Sequence, residues 1–239
     1  KLDKKDDVTA KQVAQTSGDI RRLLSPLNYP TVLMQAVALQ EKATAFISKW
    51  GHAQFQYEVQ QIETLLNQGQ MEAAHLKAQS LLHQSKAKGA KAYPGAAYDL
   101  AVAYALSGRA MKETGQANPA RKPLIKAQHS FESMGDQRMA CVVLVDLGDC
   151  LKALGQLDEA AKLYEKAIKR STHLQDSRQV AVSKAQLASV RLNQRHYKEA
   201  IAIYKEALLI FEQQNELATA AQTWNQIGLV YQALGDTDA

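Results

Sequence analysis

Leu144-Val145-Asp146-Leu147-Gly148-Asp149-Cys150-Leu151-Lys152-Ala153-Leu154-Gly155-Gln156-Leu157-Asp158-Glu159-Ala160-Ala161-Lys162-Leu163-Tyr164-Glu165-Lys166-Ala167-Ile168 holds two helical patterns joined at a glycine. Leu144, Leu147, Gly148 and Leu151 fall along one face of a first helix. Ala160, Leu163, Tyr164, Ala167 and Ile168 fall along one face of a second. Gly155 suits the C′ position of the first helix, where a left-handed backbone is least costly without a Cβ. Asp158 and Glu159 follow in the first turn of the second helix, where negative charge complements the helix dipole. Small residues let the two helices approach closely, and large ones fill the space between successive pairs.

The same pattern recurs at a period of forty residues. Tyr104, Leu144, Lys184 and Trp224 form one column. Gly108, Gly148, Ala188 and Gly228 form the next, then Met111, Leu151, Arg191 and Tyr231, then Gly115, Gly155, Arg195 and Gly235. Three copies continue through Ala120, Ala160 and Ala200, Leu124, Tyr164 and Tyr204, and Ala127, Ala167 and Ala207. A fixed period of this length signals stacked helix pairs, none able to bury its apolar face alone. A weaker copy precedes them: Leu65 to Ala74 parallels Leu151 to Ala160, but Gly69 lies 46 residues before Gly115. The excess falls in Lys86 to Pro94, a longer connection. Pro119 suits a first helical turn, whereas Pro123 predicts a helix that starts late or is kinked.

The order of large, apolar, small and aromatic residues on the first helix, then Ala, aromatic, Ala on the second, resembles the tetratricopeptide repeat. Trp224, Ile227, Gly228 and Tyr231 carry the first-helix half most fully, and Leu144 to Ala167 the whole unit. The standard unit has 34 residues, so the longer period implies longer helices. Lys184, Arg191, Ser107 and Arg195 depart from the family pattern locally without disturbing its phase. The resemblance implies an all-α fold, a right-handed α-solenoid of antiparallel helix pairs. The long period and Gln-rich helices look similar to the sensor arrays of signal-transduction ATPases of the STAND type or of caspase-like effector proteins.

The expected organisation is an N-terminal helical segment over 1–54, serving as a cap or the tail of an upstream domain, and an array over 55–239. Within it the repeats span about 55–90, 101–140, 141–180, 181–220 and a half repeat at 221–239. The first segment breaks around Ser25 to Pro30 and continues as a helical stretch to about Trp50. The half repeat predicts an apolar face containing Ile227 and Tyr231 left bare, as in an excerpt of a larger regulatory protein.

Composition narrows the function. The chain has 239 residues, few aromatics and a net charge of +5, with acidic and basic residues interleaved as on solvated helix faces. No continuous basic stripe or stacking aromatics favour nucleic acid. Cys141 and Cys150 sit nine residues apart on one helix, on opposite sides, so they cannot pair, and a cytoplasmic protein is the default expectation. No apolar run reaches the roughly 20 residues needed to span a bilayer. There is no phosphate-binding glycine loop, no Gly-x-Ser-x-Gly elbow and no His-Glu-x-x-His motif. The six histidines are scattered, His75 and His83 alone being placed to share a helix face. We expect no catalytic residue, no metal site and no cofactor.

In tetratricopeptide arrays the first helices line the concave surface. Their outward positions here are Ala105, Arg109 and Lys112, then Val145, Asp146, Asp149 and Lys152, then Gln186, Ser189 and Asn193, then Asn225, Gln226 and Leu229. The polar members, Arg109, Lys112, Asp146, Asp149, Lys152, Gln186, Ser189, Asn193, Asn225 and Gln226, are the candidate partner-binding residues. They run from charged to amide-rich, and amides can satisfy an extended peptide backbone. The family's clamp for chaperone C-termini is not expected, because its positions hold Ala105, Arg109, Asp146, Val182 and Gln186. The leading expectation is therefore a scaffold or sensing region for a protein or peptide partner. Alternatives are a small-molecule or peptide-signal receptor controlling an attached effector, and self-association through 221–239.

Overall fold

The computed structural model describes residues 30–235 and, before them, Gln12 and Gln15; the expected break at Ser25 to Pro30 begins outside that range. Among the described residues there are nine α-helices and no strand: α1 (Pro30–Asn67), α2 (Met71–Lys88), α3 (Ala96–Glu113), α4 (Ala117–Ser133), α5 (Gln137–Ala153), α6 (Leu157–His173), α7 (Ser177–Asn193), α8 (Tyr197–Gln213) and α9 (Leu217–Leu234). The chain divides into two compact units, residues 1–103 and 104–239. In the second, each helix packs on the next, so the repeats form an all-α solenoid of antiparallel pairs.

Local chemistry sets the period. From α4 to α8 every helix has 17 residues and the joining segment three, giving half-repeats of twenty. Each junction closes with the same pair of hydrogen bonds. After α5, Gly155 N–H donates to the Lys152 carbonyl at 3.0 Å and Gln156 N–H to the Leu151 carbonyl at 2.9 Å. This Schellman arrangement satisfies two carbonyls that the helix end would otherwise orphan. It requires positive φ at its pivot. Glycine supplies it at 115, 135 and 155, but the later pivots are Gln175 (φ 55°), Arg195 (φ 63°) and Asn215 (φ 57°). Asp136 and Asp176 then cap α5 and α7, accepting from Met139 N–H and Gln179 N–H at 3.0 Å.

Close approach within a pair fixes the small residues. A Cβ on Gly148 would meet Tyr164 Cε1 at 2.6 Å, and one on Gly108 would meet Leu124 Cγ at 2.5 Å. Tyr164 is fully buried among Leu144, Leu151, Ala160, Ala167 and Val190. The core continues through Tyr204, Phe211, Ile227 and Val230 of the next helices.

Two local expectations are corrected. Of the two outcomes expected of Pro123, a late start or a kink, the late start does not occur: Pro123 lies inside α4, which starts at Ala117, in phase with its counterparts. Lys184 and Arg191, which depart from the family pattern, are ion-paired: Lys184 reaches Glu206 at 2.6 Å, and Arg191 bridges Glu165 and Glu199. Ile227 is not bare but buried against α8, because α9 turns its Ile227–Val230 stripe inward. The exposed apolar residues of α9 are instead Leu217, Trp224, Leu229 and Leu234.

In the first unit α1 runs unbroken past residue 54 and packs on α2. Buried Asp99 accepts a hydrogen bond from the Tyr93 hydroxyl at 2.6 Å and meets His52 Nδ1 at 3.1 Å. Tyr93 thereby ties the segment between α2 and α3 to α3, and burial with the adjacent carboxylate raises its pKa. Sequence patterning carried no sign of this triad.

Candidate functional site

The candidate residues fall into two chemically distinct halves of one face. The charged half is built by α3 and α5. Arg109 Nη2 donates to Asp146 Oδ2 at 2.9 Å, and Lys112 Nζ lies 3.3 Å from Asp146 Oδ1 and 2.7 Å from Asp149 Oδ2. The Tyr164 hydroxyl donates to the other Asp149 oxygen at 2.6 Å. Asp146 was expected to face outward but is only 5% exposed, because the side chains of Arg109 and Lys112 close over it. Val145 and Ala105, also expected outward, are buried.

Electrostatics within this half are mutually satisfied. Burial would raise the Asp146 pKa, but the positive charges of Arg109 and Lys112 outweigh it and hold the carboxyl below its usual range. Burial would lower that of Lys112, and Asp146 with Asp149 reverses the sign and raises it. The Tyr164 hydroxyl is pushed upward by burial and by Asp149, so it stays a donor. Two carboxylates are thus neutralised by two cations inside the repeat stack, and this half joins α3 to α5 and α6.

The second half opens into a cavity of about 420 Å³ over α7. Lys152 of α5, Gln186 and Ser189 of α7, and Asn225 and Gln226 of α9 line it, with Tyr204 and Phe211 of α8 also contributing walls. Five of the ten candidate residues therefore surround one concavity. Asn193 is exposed and lies outside it. Gln222, Thr219 and Thr223, absent from the sequence-derived set, line its α9 side. The forty-residue register could have found Gln222: it occupies the position of Val182, another lining residue. Lys152 Nζ donates to Gln186 Oε1 at 2.7 Å and lies 3.4 Å from Ser189 Oγ. Burial holds its pKa below the ordinary lysine value, with the charge of Asp149 opposing that shift.

The remaining reactive groups have packing roles. Cys141 and Cys150 are buried and unpaired; burial raises both, Cys150 to about 11, which disfavours the nucleophilic thiolate. Among the described residues no cluster of three His, Cys, Asp or Glu could hold a metal ion. No described helix is long and apolar enough to cross a membrane.

Comparison with known proteins agrees with this architecture. Residues 138–213 match the family model of the tetratricopeptide repeat. No curated protein matches the chain. A signal transduction ATPase with numerous domains from Pyrococcus horikoshii, which has a tetratricopeptide repeat sensor, is 15% identical with a TM-score of 0.61, covering 92% of this chain and 33% of its own. Kinesin light chain nearly identical TPR-like repeats from Podosopora anserina are 16% identical with a TM-score of 0.58, over 76% of this chain and 87% of theirs. A Rap protein in complex with competence and sporulation factor is 15% identical with a TM-score of 0.50, over 96% of this chain and 66% of its own. At such identities the likeness concerns the fold.

Proposed function

With residues 138–213 as tetratricopeptide repeats, we propose that this chain is a non-catalytic recognition array that binds a protein or peptide partner along its first-helix face. The observation that carries this reading is the cavity of about 420 Å³, which gathers Lys152, Gln186, Ser189, Asn225 and Gln226 from three successive first helices. Its volume is in the range of ligand sites, and its amides can pair with an extended backbone. The charged half, already neutralised by itself, holds the repeats in register. Asn193, outside the cavity, extends the surface on the α7 side. A cytoplasmic location belongs to the same proposal and rests on the two unpaired cysteines.

The test is capture of partners from native lysate. The triple variant Gln186→Ala, Asn225→Ala, Gln226→Ala should lose a partner that wild type retains. Lys162→Ala, Lys166→Ala, Lys169→Ala on the exposed face of α6 should keep it. Loss through the second variant alone would move the site to the second helices.

A sensing role, in which a bound peptide signal controls an attached effector, is supported by the same cavity. It also draws on the sensor named for the Pyrococcus protein and on the competence and sporulation factor in complex with the Rap protein. Saturable stabilisation by a small ligand would distinguish it. Self-association is favoured by a different observation: Trp224 and Leu229 are exposed, and the space beside Gly228 is open. Sedimentation that stays monomeric up to high concentration would eliminate it.

A further inference from the structure

We infer that the cavity over α7 is a subsite for the side-chain carboxylate of an acidic residue in an extended peptide, with Lys152 as its cation. This rests on the reading of the first-helix face as a recognition surface and names what one part of it takes.

The protein displays the bound geometry in its own preceding repeat. Lys112 and Lys152 are equivalent positions, forty residues apart. Lys112 reaches residues 34 and 37 positions on, Asp146 and Asp149, at 3.3 and 2.7 Å. Lys152 reaches residues at the same two separations, but these are Gln186 and Ser189, at 2.7 and 3.4 Å. One repeat answers its lysine with two carboxylates, the next with an amide oxygen and a hydroxyl. The nearby acids do not make up the difference, because Asp146 and Asp149 are held by Arg109, Lys112 and Tyr164. Lys152 thus presents a half-buried ammonium with neutral partners at the wall of a cavity. A carboxylate entering beside Gln186 and Ser189 would form the charge-assisted bond that the chain forms internally one repeat earlier.

The surroundings favour a peptide side chain over a free anion. Val182 and Ala185, both partly exposed, supply apolar wall on which a neighbouring side chain can rest. Gln222, Asn225 and Gln226 line the α9 side with paired donors and acceptors for a backbone. This subsite shares Val182 and Gln186 with the positions of the family's clamp for C-terminal carboxylates, but its cation, Lys152, stands at none of the clamp positions, which here hold Ala105, Arg109, Asp146, Val182 and Gln186.

The experiment is an amide-shift NMR titration of the full chain with acetyl-Leu-Glu-Ala-amide and its glutamine counterpart, both lacking a terminal carboxylate. The expected result is saturable movement of the Gln186, Ser189 and Gln226 signals, with the glutamate peptide preferred about tenfold. That preference should shrink as salt is raised. Lys152→Gln should abolish it. The double variant Gln186→Asp, Ser189→Asp, which rebuilds the acidic pair of the preceding repeat, should abolish it too while raising the Lys152 pKa read from its side-chain carbon shift. An unfolding midpoint no lower than that of wild type, read by far-UV circular dichroism, separates loss of binding in that variant from unfolding. Equal affinity for the two peptides, a preference surviving Lys152→Gln, or no saturable shift up to about 20 mM would overturn the inference. Stronger binding of acetyl-Leu-Gln-Ala with a free C-terminus than of the blocked glutamate peptide would overturn the side-chain assignment. A partner lost with the groove triple variant but indifferent to Lys152→Gln would sink this inference alone; a partner indifferent to both would sink the proposed function.

Discussion

Gly148 and Gly228 occupy one repeat position, yet alanine at the two should act in opposite directions. A Cβ on Gly148 would lie 2.6 Å from Tyr164 Cε1 and 2.8 Å from Cζ. Carbon atoms rest at about 3.5–4.0 Å, so the ring would have to retreat by roughly 1 Å. It has little room to do so: Tyr164 is fully buried, and its hydroxyl is fixed 2.6 Å from Asp149. Overpacking of this kind costs about 1–3 kcal/mol. Losing the bond to an ionised Asp149 adds about 1.5–3 kcal/mol if the ring moves away. Better helix propensity returns about 1 kcal/mol. The net expectation is a destabilisation of about 1.5–5 kcal/mol. Among the described residues no atom lies within 4 Å of the same methyl added at Gly228, so only the propensity gain of about 1 kcal/mol remains. Urea unfolding followed by far-UV circular dichroism reads both. With a slope of about 3 kcal/mol/M, Gly148→Ala should lower the midpoint by roughly 1 M, and Gly228→Ala should raise it by about 0.3 M. An unchanged or raised midpoint for Gly148→Ala would refute the close α5–α6 approach on which the repeat geometry depends.

Arg195→Gly should stabilise the chain by about 1 kcal/mol, and Gln175→Gly similarly, because both hold φ in the left-handed region that glycine enters freely; Gly155→Ala should do the reverse in the same unfolding assay. Asp146→Ala should destabilise by about 1–3 kcal/mol, because it removes the buried carboxylate that accepts from both Arg109 and Lys112, although Lys112 keeps Asp149. The folded pKa of Asp146 is depressed, so its contribution is present above the unfolded carboxylate value and is lost as pH falls through the folded one. Acid unfolding of wild type, but not of Asp146→Asn, should therefore steepen below about pH 4. Ser107→Ala should raise stability by about 1 kcal/mol, since the buried Ser107 hydroxyl has no hydrogen-bond partner among the described residues. Cys141 and Cys150 should react with a thiol reagent only on unfolding, and prompt labelling of the native chain would contradict their burial.

Much of the fold was legible because its causes are local. The pivot at Gly155 and the acidic first turn of α6 at Asp158 and Glu159 follow from backbone and dipole preferences a few residues long. The second pivot column was also written in the chain, as Gly135-Asp136, but its later members, Gln175-Asp176 and Asn215-Glu216, hide it by lacking glycine. The candidate site was legible only as a face. Helical spacing put Asp146 and Lys152 on that face, but it could not tell that one is sealed beneath Arg109 while the other borders a cavity.

The sequence alone determined the period, the helix pairs and the turn chemistry, since each depends on neighbours within about one turn of helix. Tertiary structure decided what those residues do. Which acids Lys112 finds 34 and 37 residues away, and which neutral groups Lys152 finds at the same separations, depend on how adjacent repeats stack. The burial of Ile227 likewise depends on α8 lying against that face of α9. Propensity and periodicity act along the chain, whereas charge neutralisation and cavity formation act across it.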